Sequence, residues 1–136
     1  MTVLRRLSLA VLWLVLAAPA AALPVSPSER AQAFAECAGG LSAMSNQITS
    51  LPEEDAAKFT RMRDLFDQML EAVLPSAIDY GMPEFQAANW KFDAWIRSTS
   101  IINEASYSFD KGRAERAQAV IEADFQTCEA MILTAG

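Results

Sequence analysis

Two cysteines, Cys37 and Cys128, lie near the two ends of the sequence that follows an N-terminal leader. Neither belongs to a Cys-x-x-Cys motif, and an even number of cysteines in an oxidising compartment favours pairing over free thiols. We therefore predict one disulfide bond between them. The alternative is an intermolecular bridge or a pair of reactive thiols. An intramolecular bond requires the first and last segments of the fold to be neighbours.

The first 22 residues have the pattern of a secretory signal peptide. Arg5 and Arg6 precede an apolar run at 7–18, and the small residues Ala20, Ala21 and Ala22 follow it. The run is shorter than the roughly 20 residues of a membrane span. We predict cleavage after Ala22, with Ala20 or Ala21 as alternatives, and no stable membrane anchor afterwards. The predicted organisation is a signal peptide at 1–22 and one periplasmic or secreted helical domain at 23–136.

The first half of this domain has the apolar periodicity of two amphipathic helices. Helix one runs from Pro27 to about Ser50, starts with a capping box of Ser26 and Glu29, and contains Gly39 and Gly40, which could allow another backbone to approach closely. Helix two starts at Ser50–Glu53 and is expected to kink or end at Pro75, before a turn at 75–82. The predicted core positions are Phe34, Cys37, Ala38, Leu41, Met44 and Ile48, then Phe59, Met62, Phe66, Met69, Leu70 and Val73.

Two further helices complete the predicted fold. Helix three opens at Pro83 and runs to about Phe109, and helix four follows a break at 110–112 and continues to near the last residue. The predicted core positions are Phe85, Ala88, Phe92, Trp95, Ile96, Thr99 and Ile102, then Ala114, Ala117, Ile121, Phe125, Cys128 and Ile132. The fold class is therefore all-α, an up-down-up-down four-helix bundle. In that topology Cys37 and Cys128 come to roughly the same level.

The sequence contains no histidine. This removes histidine-based acid-base catalysis and the Glu-x-x-His motifs of di-iron bundles, and paired cysteines cannot bind zinc. We predict no catalytic residue, no metal and no cofactor. A carboxylate-based enzyme is the less favoured alternative, with Asp64, Asp67 and Glu71 as its candidates, although a solvated polar face explains these three residues better.

The net charge limits the class of partner. Removing Arg5 and Arg6 with the leader leaves 9 basic and 17 acidic side chains, a net charge of −8. Nucleic acid and anionic lipid carry the same sign of charge, so neither is expected as a partner.

Two charged side chains, Arg63 and Asp124, fall at the edges of predicted apolar stripes, near the middle of helices two and four. A buried carboxylate is costly unless an opposite charge compensates it, so we predict a buried ion pair between them. The alternative is that each side chain reaches solvent along the edge of its stripe.

Helix three carries a second apolar face roughly opposite its predicted core stripe. This face contains Trp90, Ala94 and Ile101, with Arg97 beside them. Trp and Arg are enriched at binding hot spots, so we predict a contact surface here. Alternatively, the 75–83 segment folds back over Trp90, or single apolar residues are simply exposed.

The segment Phe34–Ala43, FAECAGGLSA, together with a late helical cysteine, resembles a group of short exported alphaproteobacterial proteins of uncharacterised function. The shared layout is a signal peptide, a cysteine in the first helix and a cysteine in the last. Gly40 stands where that group is expected to have an arginine. The resemblance implies no activity, ligand or catalytic residue.

The leading hypothesis is a periplasmic, non-enzymatic helical protein that binds another periplasmic protein, or itself, through an apolar helix surface. The alternative is a small-molecule carrier in which Phe92 and Trp95 line a pocket between helices. A carrier would need an internal cavity of about 300 Å³ or more.

Overall fold

A computed structural model describes residues 23–47 and 52–135. They form four helices, α1 (Pro27–Gln47), α2 (Glu53–Asp79), α3 (Gln86–Tyr107) and α4 (Lys111–Ala135), and no strand occurs among them. The all-α fold is therefore confirmed. The predicted signal peptide at 1–22, the predicted core residue Ile48 and the predicted cap Ser50 lie outside the described residues. No helix in the described ranges is both long enough and apolar enough to cross a membrane.

The capping box at the start of α1 is formed as predicted. The Glu29 amide donates to the Ser26 hydroxyl at 3.2 Å, and the Glu29 carboxylate accepts from the Ser26 hydroxyl at 2.8 Å and the Ser26 amide at 3.2 Å. These bonds satisfy amides that a helix start leaves without partners. They also favour the charged carboxylate, so the hydroxyl bond first, and then the amide bond, lowers the pKa of Glu29.

The end of α2 differs from the prediction, because the helix continues through Pro75 to Asp79. Pro75 and Glu71 are both exposed, so water can bind the Glu71 carbonyl that the missing proline N–H leaves unpaired. The helix ends in a Schellman motif. Met82 donates its amide to the Ala77 carbonyl at 3.0 Å, and Gly81 donates to Ile78 at 2.9 Å with a φ of 109°.

Helix α1 forms the centre of the bundle. It is buried on several sides, since it packs against α2 on one flank and α3 on another. Phe34 near its start contacts Phe66 of α2, with ring centroids 6.1 Å apart. The buried residues of α1 are Ala31, Phe34, Ala35, Cys37, Ala38, Leu41, Ala43 and Met44. The described residues of the predicted α1 and α2 stripes lie in or against this core. So do four of the six residues of the α4 stripe, whereas Ala114 and Ala117 lie outside it.

The predicted disulfide joins α1 to α4. Cys37 and Cys128 have Cα atoms 5.7 Å apart and close a loop of 91 residues. In the chain-entropy model a loop of this length stabilises the fold by about 4.6 kcal/mol. The bond also matters locally, because α4 makes most of its remaining helix contacts with α3 and few with α1.

Helices α1 and α3 approach so closely that only a glycine fits at the contact. A β-carbon at Gly39 would overlap the carbonyl oxygen of Lys91 and would lie 3.1 Å from the Ala94 β-carbon. At the next position, a β-carbon on Gly40 would lie 3.3 Å from the Ser98 hydroxyl, which can rotate away. We call this contact the glycine seam; on the α3 side it consists of Ala87, the Lys91 backbone, Ala94 and Ser98.

The glycine seam explains why the predicted core stripe of α3 is wrong in part. Small residues face α1, since Ala87, Ala94 and Ser98 are buried. Of the predicted stripe only Ile102 is fully buried, and Phe85, Ala88, Phe92 and Ile96 are exposed. A close backbone approach leaves no room for an aromatic ring between the helices, so the large side chains turn outward.

Gly39→Ala tests the seam, with Gly40→Ala as the matched control. We expect Gly39→Ala to lower the free energy of unfolding by about 1–3 kcal/mol, because a rigid backbone carbonyl must move. Gly40→Ala should be neutral or stabilising by up to about 1 kcal/mol, because alanine favours helix and the serine can rotate. Urea unfolding followed by circular dichroism measures both. Equal effects of the two substitutions would contradict the seam.

Removing the disulfide tests its contribution. The Cys37→Ala/Cys128→Ala variant should be less stable than the oxidised protein by about 2–5 kcal/mol in urea unfolding, because its unfolded chain is no longer cross-linked. Wild-type protein kept reduced is the control and should lose a similar amount. A variant as stable as the oxidised protein would show that the bond does not stabilise the bundle.

Candidate contact surface

The structure does not bring the predicted ion pair together. Arg63 pairs with its neighbour Asp64, with Nη2 2.6 Å from Oδ1, and the Asp64 side chain is half exposed. The prediction is wrong because of the register between α2 and α4. Phe59 packs edge-on against Phe125 at 5.2 Å, which places Asp124 level with the start of α2 and more than a turn away from Arg63.

The predicted contact surface on α3 faces mostly inward. Ala94 is 3% exposed, and Trp90 and Ile101 pack against the core cluster. Arg97 alone of the four predicted residues is exposed. Three of the four are therefore largely unavailable to a partner, and the cause is the rotation of α3 that the glycine seam imposes.

The opposite side of α3 carries the exposed apolar surface. Phe85, Phe92 and Ile96 are 65%, 59% and 47% exposed, and they recur at helical spacing on one side of the helix. Trp95 lies beside them; it is partly buried against the core cluster, and its ring stacks on Phe92 with centroids 6.2 Å apart and planes 12° apart. We call Phe85, Phe92, Trp95 and Ile96 the outer face of α3.

Further exposed aromatic residues extend this surface at both ends. Tyr80 lies in the turn before α3, Tyr107 is the last residue of α3, and Phe109 follows in the turn to α4. Tyr107 and Phe109 line a shallow depression together with Asn103 on α3. Within the described ranges, every exposed tyrosine and phenylalanine lies on α3 or in these two turns. Monomeric proteins rarely expose apolar patches of this extent without a function.

Charged side chains border the outer face. Asp93 and Arg97 are exposed and lie four residues apart along one edge, and neither forms an ion pair with another described residue. On the other edge Lys91 pairs with Asp67 of α2, with Nζ 2.6 Å from Oδ1. Asp93 and Arg97 therefore place an acid and a base on one edge of the outer face, neither with an ion-pair partner among the described residues.

Among the described residues, two partly open clefts lie between helices. One, of about 140 Å³, lies between α1, α3 and α4 beside the disulfide and is bordered by Arg97 and Asp124. The other, of about 400 Å³, lies at one end of the bundle over Met44, Phe59 and Phe125. Phe92 and Trp95 line neither cleft. They border an open depression between α1 and α3, together with Gly39 and Lys91, so the predicted aromatic pocket is present only as a surface depression and the carrier stays a prediction.

The carboxylates of α2 do not converge on one point. Asp64 pairs with Arg63 and Asp67 with Lys91, and Glu71 is exposed. The described part of the chain contains no group of three or more acidic or cysteine side chains placed to hold a metal ion.

Comparisons with protein-family models, with curated proteins and with solved structures find no match to this chain. Its function has to be inferred from its own geometry.

Proposed function

We propose that this chain is an exported, periplasmic, non-enzymatic helical protein that acts by binding a protein surface, either another protein or a second copy, through the outer face of α3. The observation that carries the proposal is the exposure of Phe85, Phe92 and Ile96 along one side of a well-formed helix.

Covering this surface has a clear energetic benefit. Fully burying a phenylalanine or isoleucine side chain against a partner stabilises the complex by about 1.5–3 kcal/mol. Phe85, Phe92 and Ile96 are about half to two thirds exposed, so much of this stabilisation is available on binding. Phe92 and Trp95 are already stacked on each other, so little side-chain freedom is lost when a partner binds. Aromatic anchors of this kind are typical of binding hot spots.

Two features support export. The disulfide between Cys37 and Cys128 is of the kind that forms and persists outside the reducing cytosol. The first 22 residues have the composition of a cleaved signal peptide. A periplasmic protein meets other folded proteins in solution, where an exposed aromatic face can be covered by a partner.

A second candidate function is a small-molecule carrier, and the cleft at the end of the bundle favours it. Its volume of about 400 Å³ falls in the range of ligand pockets. Its floor is apolar, and Lys58 lies over the Phe125 ring with Nζ 4.8 Å from the centroid. Asp55 and Glu122 also line this cleft, and Lys58 pairs with Glu129, so an amphipathic molecule with a neutral or positive polar group would suit it.

Photo-crosslinking in the native host tests the proposal. A photoreactive phenylalanine analogue replaces Phe92 on the outer face of α3, or Val120 on α4, which is also apolar and exposed. We expect position 92 to give a covalent adduct with a protein and position 120 to give little, because only the first is covered by a partner.

Equal adduct yields from the two positions would contradict binding through α3. That outcome would leave the cleft at the end of the bundle as the better candidate site.

A further inference from the structure

We infer that the partner of the outer face of α3 is the same face of a second copy, packed antiparallel about a twofold axis near Trp95. This inference rests on the proposed function and names its partner. Three properties of the surface support it: the distribution of its aromatic residues, its charges and its area.

The aromatic residues are distributed evenly about Trp95. Tyr80 and Phe85 lie 15 and 10 positions before it, and Tyr107 and Phe109 lie 12 and 14 positions after it. A twofold axis at Trp95 places the end of α3 that carries Tyr107 beside the start of the partner helix. Tyr80 and Phe85 at one end of a copy then lie beside Tyr107 and Phe109 of the other copy, and the twofold axis passes level with Trp95. An isologous contact needs this kind of self-complementary surface.

The charges favour the antiparallel over the parallel arrangement. Asp93 lies two positions before Trp95 and Arg97 two positions after it, on the same edge of the face. In the antiparallel pair each Asp93 therefore lies level with Arg97 of the other copy, at two symmetric places. A parallel pair would instead set this edge beside the opposite edge of the other copy, near Lys91, so the two Asp93–Arg97 contacts would not form.

The chain's negative charge opposes this contact only weakly. The centre of the outer face is flanked by Asp93, Arg97 and the Lys91–Asp67 pair, so the charge there is balanced. Asp79 beside Tyr80 and Glu84 beside Phe85 are also exposed and add negative charge near one end of the face. Screening at physiological salt limits their repulsion to about 8 Å.

The available area is sufficient for a dimer. From their exposed fractions, the six exposed residues offer on the order of 800 Å² on each copy, which is what one partner covers in an interface of standard size. These residues are Tyr80, Phe85, Phe92, Ile96, Tyr107 and Phe109. They lie along one helix and the two turns beside it, so a single helix-to-helix contact reaches most of them.

Charge reversal tests the inference by sedimentation velocity of the mature, oxidised protein from about 1 to about 300 µM. The wild type should dimerise in this range. Asp93→Arg alone and Arg97→Asp alone should each raise the dissociation constant about tenfold or more, because each places like charges opposite at two contacts. An equimolar mixture of the two variants should regain wild-type affinity as a heterodimer, because acid and base then face each other again.

Two further variants test whether dimerisation depends on the outer face of α3 or on another exposed apolar residue. Phe92→Glu should raise the dissociation constant at least about 30-fold, whereas Val120→Glu on α4 should leave it unchanged. Urea unfolding at low concentration checks that all variants keep the monomer fold.

A wild type that stays monomeric at the highest concentration would overturn the inference. Single reversals without effect, or a mixture that stays as weak as each variant alone, would overturn the antiparallel arrangement. The photo-crosslinking experiment decides the binding proposal separately. If the protein is a monomer in sedimentation but position 92 crosslinks to a different protein, self-association is contradicted and binding through the outer face of α3 is not.

Discussion

The backbone contact between α1 and α3 at Gly39 determines which side of α3 meets the core. Because a β-carbon at Gly39 would overlap the Lys91 carbonyl, the two helices can approach this closely only with small residues between them. Ala94 and Ser98 supply those residues and are buried. Rotating α3 by half a turn would force Phe92 into the same space. The exposed outer face therefore follows from the packing of the core.

The remaining helices are arranged around this pair. Helix α2 packs against α1 through Phe66, which is fully buried. Helix α4 packs chiefly on α3 and is held to α1 by the disulfide, and the clefts beside the disulfide and at the end of the bundle border α4. Helix α1 therefore carries most of the packing, against both α2 and α3, while the disulfide holds α4 where packing is looser. A rigid α3 is also a suitable base for a binding surface, since little ordering is needed when a partner binds.

Much of the fold could be predicted from local patterns. The Ser26–Glu29 box, the disulfide, the described stripes of α1 and α2 and most of the α4 stripe follow from spacing and residue type alone. Pro75 was predicted to kink or end α2, yet the helix continues, because the freed carbonyl faces water on the exposed side. The Arg63–Asp124 pair could not be judged without the register of α2 against α4, which no periodicity reveals.

The main error of the sequence-based prediction concerns which side of α3 faces the core, and this error has a physical cause. Periodicity weighted by the size of the side chain places the aromatic residues of α3 in the core. Two glycines on the neighbouring helix α1 instead favour small residues on the side of α3 that faces them. Gly39 and Gly40 were a signal for close approach, and the matching signal on α3 was the spacing of Ala87, Ala94 and Ser98. Only their combination indicates that Phe85, Phe92 and Ile96 point outward.

The most direct test is to compare Ala94→Leu with Phe92→Ala by urea unfolding at about 1 µM, where self-association is weak. The packing described here predicts that Ala94→Leu costs about 1–3 kcal/mol, because leucine overfills the seam, while Phe92→Ala changes the free energy of unfolding by less than about 0.5 kcal/mol. The opposite order, with Phe92→Ala costing about 3–5 kcal/mol and Ala94→Leu little, would place Phe92 in the core and contradict the orientation of α3.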